Sequence, residues 1–251
     1  MSWLDRLRGR HPQRIDPATW QQACAQVPLA HAMSAPHRER LRTIAGYFLA
    51  HKHLHGAGSF DINDHQRMLI AVQACVPLLM LGERALRGWS DVIVYPGRFK
   101  VRRQRHLAGG VITESDDVLI GEAWERGPLI LSWADIEHDL AHPWDGYNVV
   151  VHEMAHKLDM LDGGTDGVPL LPRQVSRKRW IETFQHAYDR LATLVRAGQP
   201  THIDPYAAEN PQEFFAVVSE LHFSAPHRLR QHEPGVAELL HGYYGPSPAP
   251  L

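Results

Sequence analysis

The sequence predicts an α+β domain, on three observations. Residues from about Thr19 to Leu81 follow helical periods, short β-rich runs separated by Gly and Pro occupy the middle from Asp91 to Trp133, and long helical patterns return after that. No repeat, low-complexity tract or linker interrupts the 251 residues, so one compact domain is expected, with a helical N-terminal portion over 1–88 and a core over 89–251.

The elements follow in order. "TWQQACAQ" and "APHRERLRTIAGYFLAHKHL" read as helices, the second because Leu41, Ile44, Ala45, Phe48 and Leu49 recur at threes and fours. "MLIAVQACVPLLML", Met68 to Leu81, is shorter than the roughly 20 residues that span a bilayer and holds Gln73 and Pro77, so it reads as a buried core helix. "DVIVYPG" (91–97), "DVLIGEAW" (117–124) and "GPLILSW" (127–133) read as strands of a small antiparallel or mixed sheet. "ADIEHDLAH" is a short helix stopped by Pro143, and "VVVHEMAHKLDMLD" a longer one running to the Gly163-Gly164 stop. After the turn-rich "GGTDGVPLLP" comes the long helix "SRKRWIETFQHAYDRLATLVRAG", and Asn210-Pro211 opens another with Pro in its favoured first-turn place. The final "GYYGPSPAPL" is Pro-rich and reads as mobile.

Charge excludes little and directs little. Lys plus Arg total 26 against 28 Asp plus Glu, which leaves no basic field for direct nucleic-acid binding. Cys24 and Cys75 are too few for a disulfide framework or a cysteine metal knuckle and read as buried thiols in a reducing compartment. "MSWLDRLRGRHPQR" lacks the apolar stretch of a signal peptide, so a cytoplasmic protein without membrane attachment is expected.

The 18 histidines make His-x-x-x-His pairs common by accident, and three occur: His51/His55, His138/His142 and His152/His156. The first reads as a solvated helix end. The second, "HDLAH", carries a shorter acid and a Pro that disfavours helix at His142. The third, "HEMAH", sits among Val149, Val150, Val151, Met154, Ala155, Leu158 and Leu161, where imidazoles lose water and need partners. Four residues turn a helix about 40° past one revolution, so His152 and His156 can aim at one zinc ion, with Glu153 beside it to hold a water. The alternative is two hydrogen-bonded core histidines and a surface glutamate.

A catalytic zinc takes three protein ligands, and the residues alone leave the third open. The metzincin spacing would use Asp162, but that pattern's glycine position holds Asp159, better placed as an acceptor for the other nitrogen of a zinc-bound histidine. The later segment "PYAAENPQEFFAVVSE" supplies Glu209, Glu213 and Glu220. Glu213 also suits a capping box with Asn210, Glu220 falls on nearly the same face as a possible outer partner, and Glu209 reads as solvated.

"GYNVVVHEMAHKLDMLDG", "GVPLLP" and "IDPYAAENPQEFFAVVSELHFSAP", with "YPGRF" and "GPLILSWADI" upstream, resemble the Mlc titration factor A family from about Val92 to Pro226. The resemblance implies a zincin-like metallopeptidase domain, with an HExxH active-site helix, as the core over 89–251. It implies a cytosolic zinc peptidase of aminopeptidase-like, gluzincin type, and a partner in the repressor Mlc, which the family's namesake binds and inactivates. The late segment is also similar to the catalytic domain of anthrax lethal factor, where a Tyr precedes the zinc-binding Glu by seven residues and two Phe follow it, as Tyr206, Glu213 and Phe214-Phe215 do here. Together these likenesses imply His152, His156 and Glu213 as ligands of one zinc, Glu153 as general base and Tyr206 as a phenol facing the reacting carbonyl of a peptide substrate. Leu221-His222 departs from the aromatics expected there. "GPLILSW" is the candidate edge strand for an extended peptide. The rival reading is a non-catalytic zinc protein that sequesters a transcriptional regulator.

Overall fold

The computed structural model describes residues 11–97 and 127–249. Its helices start where the sequence supplies a side-chain acceptor, a proline in the first turn, or both. Asp16 accepts from Thr19 N at 3.0 Å ahead of α1 (Pro17–Gln26), and the four-residue α2 (Pro28–His31) follows. Ser34 caps α3 (Ala35–His51), and Asn63 and Gln66 close a reciprocal capping box on α4 (Asp64–Cys75). In α4 every residue from Met68 to Cys75 is buried, and a 3-10 turn, Val76–Leu78, ends the run at Pro77, as expected of a core helix.

The sheet differs from expectation. The described strands, β1 (His53–Gly56), β2 (Asp91–Tyr95) and β3 (Leu129–Ser132), lie in that order and both pairings are parallel, with His53 opposite Asp91 and Val92 opposite Leu129. The sequence reading instead carries the preceding helix to its end over β1. Its histidines alternate around buried Leu54, so a single apolar side chain faces the core and the period-2 signal is too short to see. The parallel sense follows because α4 and its trailing turns carry the chain back before β2 begins. The run 117–124 lies outside the described residues.

β3 passes directly into α5 (Trp133–Ala141), and after a turn the chain enters α6 (Val149–Asp159), continued by a 3-10 turn, Met160–Asp162, to Gly163 in the left-handed conformation. α7 (Arg177–Arg196), α8 (Pro211–Ser224), α9 (Pro226–His232) and α10 (Pro234–Tyr244) complete the fold. α8 is buried without a break from Glu213 to Ser224 and packs along α6. Trp180 of α7 stacks on Phe184 at 4.3 Å and meets Phe215 and Tyr243 edge-on, which seals the far side of α8.

The C-terminal segment makes contacts with the fold as far as Pro248. Ser247 Oγ donates to Phe223 O at 3.3 Å, and Pro246, Ser247 and Pro248 line a cavity of about 220 Å³ with Met33, Val76 and Phe223. This docking is at the C-terminal end of α8, ten residues and so roughly 15 Å along the helix from Glu213. Both cysteines are buried and free, as expected.

Candidate metal centre

α6 is held by its apolar side and presents its polar side to α8. Val150, Val151, Met154, Ala155 and Leu158 are wholly buried, and the four larger ones contribute about 1.5–3 kcal/mol each on leaving water. That stabilisation offsets the cost of burying His152 and His156, which are 8 % and 7 % exposed.

The two imidazoles and one carboxylate form a nearly regular triangle. His152 Nε2 is 3.1 Å from His156 Nε2 and 3.1 Å from Glu213 Oε2, and His156 Nε2 is 3.4 Å from the same Oε2. Among the described residues this is the one cluster of His, Cys, Asp or Glu whose atoms converge as metal ligands do. Tetrahedral zinc with bonds of roughly 2.0–2.1 Å spaces its ligands about 3.3 Å apart, so the donor set fits such an ion in both spacing and chemistry. Two ring nitrogens and a carboxylate oxygen, all lone-pair bearers, otherwise repel at this range unless a proton sits between them.

Glu213 is the outcome of a choice between two partners. Asn210 Oδ1 accepts from Glu213 N at 2.9 Å, which is half of the capping box, but the Glu213 carboxylate turns to the histidines instead of closing on Asn210. Burial would raise its pKa, yet the hydrogen bonds from His152 and His156 outweigh this and hold it far below the usual carboxylate range. Burial likewise works against charge on His152, and the Glu220 and Glu213 carboxylates overcome it, so the imidazole titrates well above its ordinary value. A metal taking Nε2 displaces that proton, which makes its affinity rise with pH.

Glu220, one heptad on from Glu213, lies behind the triangle. Its Oε1 is 2.7 Å from His152 Nδ1 and its Oε2 accepts from Asn148 N at 2.6 Å. Asn148 caps α6 by accepting from Val151 N at 2.9 Å and reaches Gln73 of α4 at 3.4 Å, while Asp139 of α5 accepts from Val149 N at 2.7 Å. The sequence reading assigns none of these roles to Asn148, Gln73 or Asp139. Only Asn148 left a signal there, as an N-cap residue just before the apolar run.

The other expected residues fall into place or away from it. Glu153 is on α6 next to His152 and half-buried, outside the triangle. Tyr206 is on the 3-10 turn Pro205–Ala208, its ring 6.2 Å from that of His152. Asp204 fixes that turn, accepting from Tyr206 N at 2.9 Å and from Tyr147 Oη at 3.0 Å. Asp162 is exposed and accepts from Gly164 N, and Glu209 is exposed.

Asp159 corrects the sequence reading. It does not accept from His156: its Oδ2 takes the Gly167 N–H at 2.9 Å, and its buried Oδ1 has no hydrogen-bond partner. Burial pushes its pKa up to about 7. The loop comes in close because residue 167 is glycine, at φ +76°, where a Cβ would stand 2.6 Å from Pro211 O. Asp159 therefore ties the end of α6 to the start of α8.

Comparison with known proteins agrees with this geometry. The family model described as glucose-regulated metallo-peptidase M90 matches residues 2–245. The chain is 38 % identical over 244 residues to the uncharacterized protein slr2042 of Synechocystis sp., covering 96 % of this chain and 89 % of that protein. It is 33 % identical over 241 residues to Mlc titration factor A of Escherichia fergusonii (94 % and 89 % covered) and 32 % over 252 residues to that of Yersinia pestis (99 % and 91 %). The chain belongs to the glucose-regulated metallo-peptidase M90 family, the family of the Mlc titration factor A proteins.

Proposed function

We propose that this metallopeptidase is a zinc-dependent, aminopeptidase-like enzyme of the gluzincin type, acting in the cytoplasm, with His152, His156 and Glu213 as its metal ligands. The triangle of 3.1, 3.1 and 3.4 Å between their donor atoms is the observation that carries the reading. When bound, the ion supplies Lewis acidity and makes water a nucleophile near neutral pH.

The chain's own residues do the rest. Glu153, turned about 100° from His152 on the helix, takes the proton from the attacking water and delivers it to the departing amine. Tyr206 donates its phenol hydrogen to the carbonyl oxygen as negative charge develops there. β3 is at the edge of the described sheet and offers its backbone to an extended peptide, while Lys157 of α6 donates to Gly127 O at 2.8 Å and holds the approach to that strand.

Glu153→Gln is the test. Peptide cleavage falls by about 10²–10⁴-fold or more while zinc content stays at one per chain; cleavage near wild type overturns the assignment. The name of the relatives, Mlc titration factor A, supports a second role, capture of an Mlc-like repressor. Such capture survives in the Glu153→Gln protein if it is stoichiometric and is lost if it works by cleavage.

A further inference from the structure

We propose that Glu220 is a positioning residue that sets the tautomer of His152, and that the backbone N–H of Asn148 is what makes the setting irreversible. The inference rests on the metal-centre reading and deepens it. Glu220 is 3 % exposed, and its two oxygens face different groups: Oε2 receives the Asn148 N–H at 2.6 Å, and Oε1 faces His152 Nδ1 at 2.7 Å. A carboxylate only accepts, so Nδ1 carries a hydrogen and keeps it when a metal displaces the one on Nε2. The hydrogen that Nε2 shares with Glu213 Oε2 in the metal-free chain is then the one that leaves when a metal takes its place, and the lone pair so freed is on the atom that looks at His156 Nε2 and Glu213 Oε2. Glu220 thereby presents His152 as a ligand.

The Asn148 N–H gives this arrangement a direction. A peptide N–H cannot become an acceptor, and Asn148, 6 % exposed, has little access to water that could replace Glu220. A glutamine at 220 can satisfy it only by turning its amide oxygen to Asn148. The amide NH₂ must then face His152 Nδ1, which has to accept, and the ring hydrogen moves to Nε2. A near-isosteric change of one atom thus points a hydrogen, not a lone pair, at the metal position.

This predicts an unusual order of variants. Removing the side chain leaves the tautomer free, whereas glutamine imposes the wrong one, so Glu220→Gln binds zinc more weakly than Glu220→Ala. Glu220→Asp, with two acceptor oxygens, falls between wild type and the alanine variant. A role in filling space, or in contributing negative charge, does not place glutamine below alanine.

The test measures zinc affinity of the full chain by competition with a chromogenic chelator at one pH and salt concentration, with thermal unfolding of each metal-free protein alongside. The expected result is a loss of about 10–100-fold in Glu220→Gln, larger than in Glu220→Ala, with a metal-free unfolding midpoint close to wild type. Affinity in Glu220→Gln within about threefold of wild type, or above that of Glu220→Ala, overturns the inference alone. If the glutamine protein does not fold, aspartate against alanine decides: aspartate binds zinc more tightly, and equal affinities overturn the proposal. A wild-type chain that holds no zinc overturns the metal-centre reading and this inference with it.

Discussion

The chain carries two helical His-x-x-x-His pairs with an acid after the first histidine, and they differ in everything but spacing. His138 and His142, at the surface end of α5, stack face to face with centroids 4.5 Å apart, and His142 Nδ1 pairs with the backbone oxygen of His138 at 3.0 Å. His152 and His156 stand edge to face, at 78°, with their Nε2 atoms converging. The contrast lies outside the motif. The second pair is opposed by α8, which brings Glu213 to one nitrogen and Glu220 to the other, while His142 is exposed. Identical spacing gives a converging donor set only where another helix supplies the carboxylates.

The largest expected effect breaks the contrast directly. His156→Ala lowers zinc affinity by more than the roughly 10–100-fold typical of an outer partner, and His142→Ala leaves it unchanged, both read by chelator competition. Next is Tyr206→Phe, which reduces kcat by about 10²-fold or more with zinc affinity intact, because the proposed mechanism gives the phenol to the reacting carbonyl and not to the metal. Steady-state kinetics on a peptide substrate, paired with metal analysis, separates the two variants.

Within the first pair the working residue is the acid between the histidines. Asp139 is 3 % exposed and holds the first N–H of α6, so Asp139→Ala lowers the unfolding free energy by about 1.5–3 kcal/mol in urea titration. His138→Ala, by contrast, stays within about 0.5 kcal/mol of wild type.

A smaller effect concerns Asp159. Its folded pKa of about 7 lies above its ordinary 3.8, so the folded state retains a proton that the unfolded state has lost. The associated stability is fully present below about 3.8 and is lost as pH rises through about 7. Asp159→Asn accepts the Gly167 N–H without ionising, and it flattens this decline, gaining on the order of 1–3 kcal/mol relative to wild type at pH 8 but little at acid pH. Unfolding midpoints across that range check the sign.

How much of this was legible depended on the range of the interaction. α6 and its two converging histidines could be read because the apolar pattern and the four-residue spacing are local. The start of α8 was legible from Asn210-Pro211, but local rules left Glu213 undecided between cap and ligand, and only family resemblance favoured the ligand. The shared carboxylate of Glu220 was visible merely as a seven-residue offset, since its partners His152 and Asn148 are 68 and 72 positions away. Asp159 was misjudged for the same reason: Gly167 approaches only because the loop is pinned against Pro211. β1 was missed because one buried leucine in four residues carries no period.

A crystal of the wild-type chain grown with zinc, with anomalous diffraction recorded at the zinc edge, tests the central claim most directly. The account predicts one strong peak at roughly 2.0–2.1 Å from the Nε2 atoms of His152 and His156 and from a Glu213 oxygen. Zinc bound at His138 and His142 with the α6–α8 triangle lacking a peak would contradict it.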